Sequence, residues 1–112
     1  MIATADNMKQ VTIPEFCGGE GSATLTLLFE RGVLTANVVK ITLEPGNSCG
    51  TNDHTDDGDL YFVLEGEVVM IDDDQEYVLH AGDVEYCKPG HNHGAVNRSD
   101  KPASFLAVGL PG

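Results

Sequence analysis

The sequence predicts one all-β domain, built as a sandwich, a jelly roll or a barrel, and three observations carry that expectation. Apolar residues alternate with polar ones at period two in short runs, the pattern of half-buried strands. Clusters of Gly, Asp, Asn and Pro separate the runs, and no long amphipathic helical pattern occurs. Many short antiparallel strands in 112 residues must bury one face against another sheet or close on themselves.

Taken in order, Val11 to Ile13 reads as an extra edge strand, followed by strands at Thr24 to Phe29 and Val33 to Leu43. The next are Leu60 to Leu64, Val68 to Ile71, Glu76 to Leu79 and Asp83 to Cys87, and Gly94 to Asn97 and Ala103 to Val108 complete eight or nine strands. Turn chemistry lies between them at Glu30-Arg31-Gly32, Glu44-Pro45-Gly46-Asn47, Asp56-Asp57-Gly58, Asp72-Asp73-Asp74, Ala81-Gly82 and Arg98 to Pro102. Residues 1–21 have weak periodicity and end in Gly18, Gly19 and Gly21, so they read as an N-terminal arm able to pair with a second subunit, with the barrel over 22–112. An exposed edge strand invites pairing with another copy, and a homodimer is expected.

Composition narrows the function classes. Hydrophobic residues at 41% and charged residues at 21% place the chain among globular domains and apart from disordered ones. Six Lys and Arg against 18 Asp and Glu leave a net charge of −12, which repels phosphate backbones and anionic lipid, so neither nucleic acid nor membrane is an expected partner. The start, MIATADNMKQ, lacks the order of a secretory signal, and no apolar run is long enough to span a bilayer; the expected compartment is the cytoplasm. Cys17, Cys49 and Cys87 are odd in number and without CxxC spacing, so they read as free thiols. No Ser-His-Asp order, Walker loop or dinucleotide glycine pattern is present.

The chemistry concentrates in two stretches, NDHTDDGDLYFVLEG (52–66) and GDVEYCKPGHNHGAVN (82–97). In an extended segment Asn52 and His54 point to one face, about 6.6–6.8 Å apart along the strand. The turn formers after His54 return the chain so that Asp59 opens the next strand beside the pair, on one face with Tyr61 and Val63. His93 follows the turn Lys88-Pro89-Gly90, which aims its imidazole at the same cavity. Two imidazoles, a carboxylate and an amide oxygen suit one divalent metal ion of the Fe, Mn, Ni or Zn kind with positions left open for water or a small-molecule ligand. Tyr61 by parity and His91 by proximity are candidate proton donors or acceptors, and hence candidate catalytic residues. His80, taken singly, reads as a surface residue. Asp53, Asp57 and Gly58 fall on three positions of a calcium loop, but Thr55 and Leu64 occupy ligand positions and the flanks read as strands, which argues against it.

These two stretches resemble the paired motifs of the cupin superfamily, small single-domain metal-binding barrels of the jelly-roll type. In the first motif, Gly-x5-His-x-His-x3–4-Glu-x6-Gly, Asn52-Asp53-His54 fill the His-x-His slot, Asp59 the Glu slot and Gly66 the last glycine. In the second, Gly-x5-Pro-x-Gly-x2-His-x3-Asn, Gly82, Gly90, His93 and Asn97 fall in register, with Lys88 in the proline slot and Pro89 one place later. The resemblance implies a metal held by Asn52, His54, Asp59 and His93 inside the barrel. It also implies activity of the oxygenase, isomerase, epimerase, lyase or decarboxylase kind on a small oxygenated molecule.

Two departures bear on function. Asn52 exchanges an imidazole for a weaker, harder amide oxygen, and Asp59 is one methylene shorter than glutamate. Two functions follow from this. His54, His93 and Asn97 in register favour a metal-dependent enzyme, and the substitutions at 52 and 59 favour a non-catalytic module that binds or senses a small molecule such as a sugar.

Overall fold

The structure, a computed structural model, describes residues 1–30, 32–54 and 56–110, with the side chains of Asn52 and Asp53 outside the described set. Among the described residues ten strands form two antiparallel sheets: β1 (Lys9–Pro14), β2 (Ser22–Leu27), β3 (Asn37–Leu43), β4 (Ser48–His54), β5 (Gly58–Glu65), β6 (Glu67–Asp72), β7 (Gln75–His80), β8 (Val84–Cys87), β9 (His91–Val96) and β10 (Ala103–Leu110). One sheet runs β1-β2-β3-β10-β5-β8 and the other β4-β9-β6-β7, facing each other as a jelly-roll barrel. No described helix is long and apolar enough to cross a membrane.

The period-2 pattern works as the sequence suggests. Ile41, Leu43, Val63 and Phe105 project from the larger sheet onto Val68, Met70, Ala95 and Cys49 of the smaller, and all are buried. At the β6–β7 hairpin Asp73 (φ 45°) and Asp74 (φ 70°) both take left-handed backbone, as a two-residue type I′ turn requires. Gly66 (φ 80°) turns β5 into β6 beneath the Pro102 carbonyl, where a Cβ would lie 2.6 Å from that oxygen.

Two strands differ most from expectation. The third strand begins at Asn37, not Val33, because its neighbours end there: β10 pairs Gly109 with Asn37 and β2 pairs Leu27 with Val39. β4 is a full strand where the sequence showed only an extended stretch around Asn52 and His54. Its residues, SCGTNDH, are poor strand formers, and the ladder to β9 holds them.

That ladder contains the irregularity that positions the site. Cys49 pairs with Ala95 but Asn52 pairs with His93, so β4 carries one extra residue between them. A bulge of this kind reverses side-chain parity. Cys49 and His54, at odd and even positions, thereby both turn towards the interior. Within residues 1–21, β1 pairs with β2 of the same chain, and a 3-10 turn at Phe16–Gly18 rests on β4.

Candidate metal centre

The centre is assembled from the ends of three strands. His54 is the last residue of β4, Asp59 the second of β5, and His93 lies within β9. Asp59 Oδ2 stands 3.1 Å from His93 Nε2 and 3.4 Å from His54 Nε2, and the imidazoles meet edge to face with centroids 5.1 Å apart. Metal bonds of about 2.1 Å meeting at 90–109° set neighbouring ligand atoms about 3.0–3.4 Å apart, so these spacings are those of ligands to one ion.

Each imidazole is oriented from behind by a carboxylate. Glu85 Oε1, on β8, lies 2.7 Å from His93 Nδ1, and Asp57 Oδ1 lies 3.0 Å from His54 Nδ1. A carboxylate at Nδ1 holds the proton there and leaves Nε2 as the ligating atom. His54 Nε2 is buried and makes no hydrogen bond. An orphaned buried nitrogen of this kind, between a carboxylate and a second imidazole, fits a divalent ion, and the donor set is the two-histidine, one-carboxylate kind that leaves open positions.

The electrostatics favour positive charge at this point. Burial alone would lower the pKa of His93, but its hydrogen bonds to Asp59 and Glu85, together with their charges, outweigh burial and raise it to about 9. The fully buried imidazole also stacks on Tyr61 at 4.1 Å and 17°. Tyr61 OH lies 4.0 Å from Cys49 Sγ, and burial pushes its pKa well above the usual phenol range, so it stays protonated. Above the centre a cavity of about 450 Å³ is lined by His54, Asp57, Asp59 and Tyr61, with Phe16, Val39, Ile41 and Ala107 among its apolar walls.

Residues 39–109 match the family model for the cupin domain, Cupin_2. The chain belongs to the cupin family. This cupin is 26% identical over 111 residues to an oxalate-binding protein of Thermotoga maritima, covering 96% of this chain and 92% of that one. It also resembles a solved structure described as a predicted oxalate decarboxylase from T. maritima, with TM-score 0.93, 26% identity and 99% of both chains covered. A solved sugar phosphate isomerase of the cupin superfamily from Silicibacter pomeroyi aligns with TM-score 0.82 and 27% identity over all of this chain and 76% of that one.

Of the residues the sequence singles out, the cupin barrel brings together His54, Asp59, His93 and Tyr61. The backbone of Asn52 sits opposite His93 in the β4–β9 ladder, and its side chain lies outside the described residues. His91 is turned away from the centre and pairs through Nδ1 with Asp73 at the exposed β6–β7 turn. His80 is on the surface, 3.1 Å from Glu67. Asn97 acts in the frame, its amide donating to the carbonyls of Leu43 and Lys101 at 2.9 and 2.7 Å.

Asp57 and Glu85 are the carboxylates of the candidate centre that sequence reasoning did not assign to it. In β8 the apolar Val84 and Tyr86 look like the inward face, but the ladder pairs Tyr61 with Glu85 and Asp59 with Cys87, which turns Glu85 and Cys87 in and leaves Val84 and Tyr86 exposed. The available signal was the acidic residue between apolar neighbours in a strand that returns beside Asp59 and Tyr61.

Proposed function

We propose that His54, Asp59 and His93 of this cupin hold one divalent metal ion of the Fe, Mn, Ni or Zn kind, with Asn52 as a fourth ligand, and that the cavity captures a small chelating carboxylate of the oxalate class. The observation that carries the proposal is the buried, unpartnered Nε2 of His54 facing Asp59 and His93. When bound, such an ion supplies a Lewis-acid anchor for ligand oxygens.

The chain's own residues set the ligand's size and charge. Apolar walls from Phe16, Val39, Ile41 and Ala107 bound the cavity and leave room for a compact molecule. Among the described lining residues there is no Lys or Arg, so none of them offers a cation to the phosphate of a phosphorylated sugar, whereas a small chelating acid needs only the ion. The oxalate-binding relative supports the same ligand class.

Binding rather than turnover is the reading the side chains favour. Tyr61 holds its proton, so it can donate a hydrogen bond but cannot act as a base at neutral pH, and His91 stands outside the cavity. The second reading, an enzyme of the lyase, oxygenase or isomerase kind acting on the same ligand, is favoured by the Tyr61 ring lining the cavity beside Asp59. A homodimer is proposed across the outer face of β5 and β8, where Phe62, Leu64, Val84 and Tyr86 are 40–52% exposed beside the free edge of β8.

The test is calorimetry on metal-stripped protein, titrated with Mn²⁺ or Zn²⁺ and then with oxalate, beside the His54→Ala/His93→Ala double variant. Near one equivalent of ion, followed by oxalate binding that needs the ion, with both lost in the variant, is the expected result. Equal uptake by the variant, or none by the wild type, overturns the proposal. Consumption of the oxalate by the loaded protein moves the conclusion to the enzyme.

A further inference from the structure

Beside the metal centre the chain brings two cysteines together from distant parts of the sequence. Residues 17–20 run along the start of β4. Glu20 N–H donates to Ser48 Oγ at 2.7 Å, Ser48 N–H donates to the Glu20 carbonyl at 2.8 Å, and the Cys17 carbonyl rests so closely on Gly50 that a Cβ there would collide with it. Reaching this position forces Glu15 (φ 51°) and Cys17 (φ 53°) into left-handed backbone. The backbone of residues 17–19 thereby brackets Cys49, with Gly19 packed against the Ser48 carbonyl and the Cys17 carbonyl against Gly50. Cys17 is exposed, and Cys49 is 2% exposed beneath it, with its sulfur 4.0 Å from Tyr61 OH.

We propose that Cys17 and Cys49 are a reversible redox couple, a modification site for hydroperoxides that closes as an intramolecular disulfide. In the first step the exposed Cys17 sulfur attacks the terminal peroxide oxygen. The O–O bond breaks, the peroxide is reduced to water or an alcohol, and Cys17 becomes a sulfenic acid. In the second the Cys49 sulfur displaces the sulfenic hydroxyl, which leaves as water with the Cys49 proton, and the S–S bond forms. The two thiols are oxidised by two electrons, the peroxide accepts them, and a dithiol or glutathione reverses the change.

The division of labour follows from position. Cys17 meets the oxidant because it faces solvent, and Cys49, shielded by the barrel, resolves it because its backbone neighbour already touches Cys17. Burial holds both thiols above their ordinary range, Cys49 at about 12, so the couple reacts slowly and acts as a staple, not a fast sensor. The staple fixes the Phe16–Gly18 turn on β4, and Phe16 is a wall of the ligand cavity. It also removes the thiol facing Tyr61, which stacks on His93. Cys87, on β8, is buried and takes no part.

The experiment treats the full-length, metal-stripped protein with hydrogen peroxide under native conditions, then counts thiols after denaturation and maps disulfides by peptide mass spectrometry. The expected result is a fall from three free thiols to one, a monomeric band on non-reducing electrophoresis, a Cys17–Cys49 peptide pair lighter by two hydrogens, and full recovery with dithiothreitol. Cys17→Ser, at an exposed position, keeps both remaining thiols under the same dose. A pair that includes Cys87, a disulfide between two chains, stable over-oxidation of Cys17 without bridging, or three thiols surviving prolonged treatment each overturns the proposal.

Discussion

The two ends of the barrel are built from the same strands and have opposite chemistry. At one end β3, β5 and β10 contribute Leu43, Val63 and Ala103, all fully buried, and Asn97 closes the loop beside them with hydrogen bonds to Leu43 and Lys101. At the other, β5 carries Asp59, β8 carries Glu85, β9 carries His93 and β4 ends at His54, and of these His54 and Asp59 line a cavity that opens to solvent. Along β5 the change takes four residues, from Val63 through Tyr61 to Asp59, on one inward face. The packed end makes the fold stable enough to hold buried carboxylates and imidazoles that would otherwise prefer water. Stability and ligation are therefore separable by mutation, and each variant below tests the separation.

The largest effect belongs to the packed end. Leu43→Ala leaves a cavity where side chains from both sheets meet and is expected to cost about 2–5 kcal/mol of stability in chemical denaturation. Metal stoichiometry of the remaining folded protein should be unchanged. Loss of metal in step with loss of stability would show that the two ends are not independent.

Glu85→Gln acts at the opposite end. The buried carboxylate fixes His93, and its loss is expected to weaken metal affinity about 10–100-fold while the metal-free fold melts cooperatively as before. Competition with a chromogenic chelator measures it. An affinity within twofold of wild type would remove Glu85 from the centre.

The contrast between the ends also explains what was legible in the sequence. The packed end was readable because its residues obey one rule, apolar at alternate positions, and Leu43, Val63, Val68 and Phe105 all follow it. His54, Asp59 and His93 were readable through their spacing. Glu85 was not, because the inward face of β8 is polar and its outward face apolar, the reverse of the rule, and only the ladder to β5 decides which way it turns. The bulge in β4 was hidden for the same kind of reason, since a register shift between Cys49 and Asn52 is a property of pairing with β9. The nearness of Cys17 to Cys49 is tertiary and has no local signal.

A smaller effect is expected from pH. In the metal-free protein His93 has a pKa raised from 6.5 to about 9, so the folded state holds this proton more tightly than the unfolded chain. The stabilisation is complete below the unfolded value of 6.5 and is lost as pH rises through about 9. Thermal melts of stripped protein should therefore fall between pH 6.5 and 9, with the slope retained in Leu43→Ala and flattened in His93→Gln. A slope unchanged in His93→Gln would assign it to another group.

The smallest effect separates burial from chemistry within the polar end itself. Asp57 does for His54 what Glu85 does for His93, a carboxylate oxygen on Nδ1, but its side chain is 57% exposed against 6% for Glu85. Water competes for an exposed carboxylate, and exposed pairs contribute about 0.2–1 kcal/mol, so Asp57→Asn is expected to weaken metal binding by less than about fivefold. Asp57 also lines the cavity, where its charge repels an anionic ligand. The same variant should therefore bind oxalate more tightly once loaded with metal, and added salt should narrow that gain. Opposite signs for metal and oxalate in one calorimetric series would show that Asp57 orients the imidazole and repels the ligand at once. A fall in both affinities, as large as that of Glu85→Gln, would mean that burial is not what sets the two carboxylates apart.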